Sequence, residues 1–501
     1  MRRFLSTFGR ITLLLTFGVL AFVAGAATTY NQIAPSGPPL QLWHTEKLTA
    51  EFTADKADQI RSFEDYRRLE DKLFAELDQK VFERVGTGPA YELVRYSSGS
   101  AVDPRRRKPN WNRSFELSVG EPKGGVLLLH GRSDGPYSLR ALGQALNRHG
   151  YWVIGLRQPG HGTIPSGLLT ATWEDAAAAV QLSMAHLASK VGKSPVHIIG
   201  YSTGAALAGD YALGALDGTN APVPASLIMV SPAIAINPKA ALAEWKAWLA
   251  LLPGLERLAW AEITPEFDPF NYNSFTINSI AQVHRLTRHL ATRIDAKSKS
   301  GQMEAFPPTL VFLSSVDATV SVDAVIDNLL EHVTTGDHEL ILFDINRKIA
   351  KSSFLISDPA PLITRLMADE NLPFALTVVT NESPESTAVV ARRKPPSSTI
   401  GSTESLELSW PANVFSLSHV ALQFPPDDPL YGRRQPDNKD VLFPGQLALQ
   451  GELGLLLFSS NRLLRLRHNP FYKFVETRVL EWVDNIGART APAGAEGDNG
   501  D

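Results

Sequence analysis

The chain contains no cysteine, which excludes disulfides, a thiolate metal site and a cysteine nucleophile, and leaves the redox compartment unmarked. An excess of one charge is also lacking. Its 48 Lys and Arg stand against 52 Asp and Glu, a net charge of −4, so bulk electrostatics attracts no polyanion and nucleic acid is not an expected partner. What is present is ordinary for a globular chain: 44% hydrophobic residues over 501 positions. That length admits two or three domains, or one embellished domain carrying a cap.

Arg2, Arg3 and Arg10 precede Ile11 to Ala27, seventeen residues without a charge, and the next charged residue is Glu46. This reads as an export segment. Two forms stay open: a signal peptide cleaved near Ala24-Gly25-Ala26, or an uncleaved membrane anchor; a buried N-terminal helix is the plainer third. Under either of the first two, the positive-inside tendency keeps the arginines cytoplasmic and sets the remainder outside, periplasmic or secreted. A linker over 28–45 and a charged helix from about Ala54 to Val85 follow, the latter with Ile60, Phe63, Tyr66, Leu69 and Leu73 at helical spacing. The basic run Arg105 to Lys108 reads as a solvated loop, with anionic lipid headgroups as the alternative contact.

From Phe115 onward, apolar runs of strand length alternate with helical stretches, the pattern of a mostly parallel sheet with helices on both faces. The predicted strands are 115–117, 125–130, 151–156, 196–199, 227–231, 309–313 and 338–345. Helices are expected over 138–149, 173–191 and 471–486. The 232–308 stretch is too long for a simple crossover and reads as a helical cap, with Trp245, Trp248, Leu251, Leu252, Leu255 and Trp260 either packing it or facing an acyl chain. Two β-rich runs, Phe374 to Val379 and Thr387 to Ala391, read as an inserted hairpin extending the sheet antiparallel at its edge.

The densest signal is Gly200-Tyr201-Ser202-Thr203-Gly204, between the apolar run Pro195 to Ile199 and the alanine-rich stretch from Ala205. Gly-x-Ser-x-Gly is weak alone, but a strand before it and a helix after it describe a tight turn that lifts a serine hydroxyl clear of a sheet. Leu129-His130-Gly131-Arg132-Ser133-Asp134-Gly135 and Leu156-Arg157-Gln158-Pro159-Gly160-His161-Gly162 precede it in order. Together these phrases resemble the bacterial esterase and monoacylglycerol-lipase-like branch of the α/β-hydrolases, over roughly 115–345 and again near 414–484.

That resemblance implies a serine hydrolase acting on small-molecule or lipid carboxylic esters without a cofactor. A nucleophilic serine needs a base and a carboxylate that orients it, in the chain order Ser, acid, His for this fold. Asp317, just past the 309–313 strand, is the expected acid; Asp323 and Asp327 read as capping or surface carboxylates. The histidine is displaced by the insertion, so the family's usual place is empty and His419 is the first to follow, with His468 as its rival and His332 and His338 as structural residues. Backbone N–H groups of Thr203 and, by resemblance, Arg132, with Ser133 as the neighbouring candidate, are expected to form the oxyanion hole; the Arg132 side chain is expected to pack or to pair with acids at the rim, with a substrate carboxylate or phosphate as the alternative contact. His130 and His161 read as loop-stiffening hydrogen bonders, since carboxylates at metal-ligand spacing are missing beside them.

The expected organisation is therefore an export segment 1–30, an accessory segment 31–112, a first core part 113–231, a cap 232–308, a second core part 309–486 with an insertion about 346–412, and a disordered tail 487–501. Two other functions fit the same pattern: a peptidase or amidase, with Glu174, Asp175 and Asp134 as the acids to anchor a substrate amine, and a membrane-tethered binding protein that retains the fold without catalysis.

Overall fold

The computed structural model describes residues 37–235, 249–250, 252–333, 337–351, 353, 355–434, 443–444 and 464–490, together with Thr16 and Gly25. The rest of the export segment, Trp245, Trp248, Leu251 and most of the expected tail lie outside the described residues. Among the described residues no helix is long and apolar enough to cross a membrane.

The strands are β1 (Phe115–Leu117), β2 (Gly124–Leu129), β3 (Tyr151–Leu156), β4 (Val196–Tyr201), β5 (Ser226–Val230), β6 (Trp260–Glu262), β7 (Phe275–Thr276), β8 (Thr309–Ser314), β9 (His338–Phe343), β10 (Ala375–Asn381), β11 (Ala388–Lys394) and β12 (Ser402–Ser409). All but β6 and β7 form one sheet in the order β1-β3-β2-β4-β5-β8-β9-β10-β11-β12. Every pairing from β3 to β10 is parallel. Burial follows from that arrangement: β2, β4, β5, β8 and β9 are buried at every position, because helices cover both faces of a parallel sheet.

The two-residue period of a strand divides these apolar runs between two cores. Leu127, Leu129, Ile198, Leu227, Val311 and Leu340 face one core, with the Trp173–Val191 and Thr203–Leu216 helices. Val126, Leu128, Ile199, Ile228, Phe312 and Ile341 face the other, where Leu142 and Leu146 of the Arg140–Arg148 helix and Val475, Val479 and Val483 of the Tyr472–Thr490 helix close over them. The described part of 232–308 holds the β6–β7 pair and the 23-residue Ile277–Lys299 helix. Leu286, Leu290 and Ile294 of that helix are buried in the first core. Trp260 is also a packing residue, its ring edge-on to His44 at 4.8 Å between centroids.

The insertion corrects one expectation. β10 joins β9 in parallel, with Ala375 opposite Glu339 and Val379 opposite Phe343; within the insertion the β10–β11 and β11–β12 pairings are antiparallel. The Ala360–Ala368 helix is the reason, since it forms the crossover that a parallel neighbour requires. β12 escaped sequence reading because its Ser-Thr-Glu-rich strand is largely exposed, as suits a polar outer edge.

The accessory helix is shorter than expected. It runs Phe63–Leu77, begun by Ser62, whose hydroxyl accepts from the Asp65 N–H at 3.1 Å, and a separate short turn covers Ala54–Lys56. Phe63 and Tyr66 reach the first core, and Tyr66 Oη donates to the Arg157 carbonyl at 2.6 Å. Arg157 is the tie between this segment and the sheet: Nε donates to Glu70 Oε1 at 2.6 Å, Nη2 to Glu51 Oε1 at 2.8 Å and Nη1 to Glu51 Oε2 at 3.0 Å. Its side chain is 1% exposed. Arg157→Ala removes the guanidinium that joins Glu51 and Glu70 while leaving both carboxylates in place, and is expected to cost about 3–5 kcal/mol in urea unfolding.

Candidate active site

β4 delivers the elbow. Ser202 has φ 53° and ψ −115°, a conformation that costs a non-glycine residue on the order of 1–3 kcal/mol unless its surroundings enforce it. They do so through four backbone bonds: Ser202 N–H donates to the Val230 carbonyl at 2.9 Å, and the Ser202 carbonyl accepts from Ala205 and Ala233, each at 3.1 Å, and from Ala206 at 3.4 Å. The flanking glycines are required by close approach. A Cβ on Gly200 would lie 2.4 Å from Ala205 Cα, and one on Gly204 would lie 2.1 Å from the Leu129 carbonyl oxygen.

Asp317 and His419 meet across 102 positions. His419 Nδ1 lies 2.8 Å from Asp317 Oδ2, with side chains 5% and 0% exposed. Asp317 Oδ1 is held from behind by the N–H groups of Thr319 at 2.8 Å and Val320 at 3.0 Å. Burial pushes this carboxyl up, but the His419 hydrogen bond and charge and the two backbone donors outweigh it and hold Asp317 below the usual carboxylate range. His419 stands on a short turn after Leu417, whose carbonyl accepts from Ser314 Oγ at 2.8 Å, so β8 braces both the acid and the histidine. The imidazole lies against the elbow, 5.2 Å between centroids from the ring of Tyr201. Among the described residues no hydrogen bond joins Ser202 Oγ to His419; bonds of this kind commonly tighten only with substrate in place.

Arg132 and Thr203 line one cavity together with Gln158, His161, Leu168, Trp173, Leu207 and Leu286. Thr203 opens the 203–216 helix, so its N–H is one of those left unpaired by helix geometry. Of its two expected roles the Arg132 side chain takes packing rather than pairing. No acid pairs with it among the described residues, and its guanidinium carbon sits 5.3 Å from the Phe275 ring centroid. Burial alone pushes it down to about 10.

The remaining candidates take structural roles. His130 Nδ1 bonds the Gly131 carbonyl at 2.8 Å and its Nε2 accepts from Gln158 N–H at 3.1 Å. Asp323 and Asp327 are exposed, His338 opens β9, His332 ends a short turn, and His468 is buried near Tyr431 and Asp428. Of the three acids named for an amine anchor, Asp175 caps the Trp173–Val191 helix and accepts from Ala54 N–H at 2.7 Å, and Glu174 is exposed.

Asp134 is the residue whose character sequence did not reveal. Burial, and then the charge of Asp268, push its carboxyl up to about 7, against the opposing hydrogen bond from Asn271 and the charge of Arg467. The unfolded chain loses this proton near the ordinary carboxylate value while the folded one keeps it, so stability falls as pH rises from about 4 to about 7. Asp134→Asn is expected to remove that dependence and to gain about 2 kcal/mol over wild type at pH 8 relative to pH 5, measured by urea unfolding at both.

Residues 120–345 match the model of the Hydrolase_4 family, described as serine aminopeptidase, S33. With the sheet order and the strand–Ser202–helix turn, this gives the matched region the α/β-hydrolase fold. It is similar to a metagenome-derived lipolytic enzyme from work on LipS and LipT, at 20% identity and a TM-score of 0.36 over 47% of this chain and 88% of that one. The monoacylglycerol lipase of Paleococcus ferrophilus gives 19% and 0.35 over 46% and 87%. A soluble variant of monoglyceride lipase from Saccharomyces cerevisiae gives 16% and 0.35 over 46% and 81%. No curated protein matches the chain.

Proposed function

We propose that this protein is a serine hydrolase of carboxylic esters that works through an acyl-enzyme. The observation that carries the reading is the 2.8 Å contact between His419 Nδ1 and Asp317 Oδ2 beside the elbow serine. Ser202 Oγ attacks the ester carbonyl carbon and passes its proton to His419 Nε2. Asp317 holds the Nδ1–H and stabilises the imidazolium. The N–H groups of Thr203 and Arg132 receive the oxyanion, the alcohol departs with the proton from Nε2, and water activated by the same nitrogen releases the acid.

Two observations favour an ester over the amine-bearing substrate of an aminopeptidase. Asp175 is committed to a helix cap and Glu174 is exposed, leaving neither as a buried counter-charge. The cavity beside Thr203 is lined by Arg132, whose positive charge repels an ammonium group. Hydrolysis of p-nitrophenyl esters from short to long, alongside an aminoacyl anilide, tests the reading, together with fluorophosphonate labelling. Ester turnover and labelling are expected; cleavage of the anilide alone would select the peptidase, and neither turnover nor labelling would select the binding protein.

The extracytoplasmic location belongs to the same proposal and rests on Arg2, Arg3, Arg10 and the uncharged run that follows. Cell fractionation with an N-terminal sequence of the mature protein tests it, distinguishing a cleaved segment from a membrane anchor. Recovery of the intact chain in the cytoplasm would refute it.

A further inference from the structure

The cavity beside Thr203 has a volume of about 50 Å³ and is walled mainly by Leu168, Ala176, Leu207, Val283 and Leu286. Most of its polar groups are already engaged. The Thr172 hydroxyl accepts from Asp175 N–H at 3.2 Å, Ser279 Oγ donates to the Thr276 carbonyl at 2.9 Å, Gln282 Oε1 accepts from Trp173 N–H at 3.3 Å, and Gln158 Nε2 donates to the His130 carbonyl at 2.6 Å. The cavity's two titratable side chains each keep a polar group without a partner among the described residues. One is the Arg132 guanidinium, which lies over the face of Phe275. The other is His161 Nε2, which is buried and unbonded.

The histidine's chemistry is fixed by its other nitrogen. Nδ1 lies 2.9 Å from the Pro159 carbonyl, so it carries the hydrogen, and burial keeps the ring neutral by pushing it down to about 4. Nε2 is therefore an acceptor facing a missing donor. Arg132 presents the opposite need: a fixed positive charge among apolar walls, costly to hold there without an anion. A planar guanidinium pairs best with a carboxylate, through two parallel hydrogen bonds.

We propose that Arg132 is a specificity-determining residue whose guanidinium binds a carboxylate carried by the ester substrate. The proposal rests on the hydrolase reading for its catalytic consequence and on the cavity for its ligand. The small volume selects a short acid-bearing group, only a few heavy atoms, over a long acyl chain.

Mono-p-nitrophenyl succinate and p-nitrophenyl butyrate have acyl chains of equal length and differ by one carboxylate. In wild type the ratio of their kcat/KM values, succinyl over butyryl, is expected to exceed that of Arg132→Gln by at least about tenfold, with Arg132→Lys between them. Any loss that a substitution imposes on both substrates, including through the Arg132 backbone, cancels in this ratio. An unchanged ratio would overturn the proposal. If wild type turns over neither ester, the hydrolase reading falls and the site is judged by calorimetric titration with monomethyl succinate: saturable binding to wild type that Arg132→Gln abolishes upholds the site, and no binding to wild type rejects it.

Discussion

Ser202→Ala is expected to lower kcat toward p-nitrophenyl esters by about 10⁶-fold, because the nucleophile and base of a triad act as a unit and the loss of one forfeits nearly the whole effect. The substitution is well matched to its purpose. Alanine inherits the same strained backbone at φ 53°, and the bonds that hold it, from Ser202 N–H to Val230 and from Ala205 and Ala233 to the Ser202 carbonyl, are all main-chain. The variant should therefore fold, with an unaltered far-ultraviolet dichroism spectrum, while losing fluorophosphonate labelling. A decline of only tenfold would mean that another residue carries the chemistry.

The second large effect concerns the acid. Asp317→Asn should reduce kcat by about 10⁴-fold through the tautomer of His419, with little change in fold. The carboxylate has distinct tasks for its two oxygens: Oδ1 accepts from Thr319 and Val320 N–H, and Oδ2 faces His419 Nδ1. In asparagine the carbonyl oxygen satisfies the two backbone donors, which turns the amide N–H₂ toward the imidazole. Nδ1 must then accept, the proton moves to Nε2, and the base can no longer take the Ser202 proton. Single-turnover kinetics with p-nitrophenyl acetate should show acylation slowed. An unslowed burst would remove Asp317 from the mechanism.

Asp317 also predisposes the fold toward acid sensitivity. Its carboxyl lies below the usual range in the folded chain, so its contribution to stability is present above the unfolded value and disappears as pH falls through the folded one. Asp134 has the opposite sign, favouring the fold at the acidic end of its window. The two groups shift stability in opposing directions across different pH ranges.

Much of the scaffold was legible because it is written in short-range signals. Buried strands such as Val126 to Leu129 and Leu310 to Leu313 are continuous apolar runs, and a strand, a Gly-x-Ser-x-Gly turn and a helix are contiguous in the chain. The polar strand β12 was not legible, since its exposed residues carry no core pattern. The parallel seating of β10 was also hidden: a hairpin of β-rich segments looks alike whether its first strand joins the sheet in parallel or not, and the deciding element is the short crossover helix Ala360–Ala368.

By itself the sequence determined the elbow, the alternation of strand and helix, and a short list of acids and histidines, because each depends on neighbours within a few residues. Only tertiary structure decided that His419, beyond a three-strand insertion, turns Nδ1 onto Asp317, that Arg132 faces a cavity without an acid, and that Asp134 is buried deeply enough to hold its proton. Those are properties of distance and dielectric between segments far apart in the chain. Residue order does not encode them locally, and packing both faces of the sheet brings them into being.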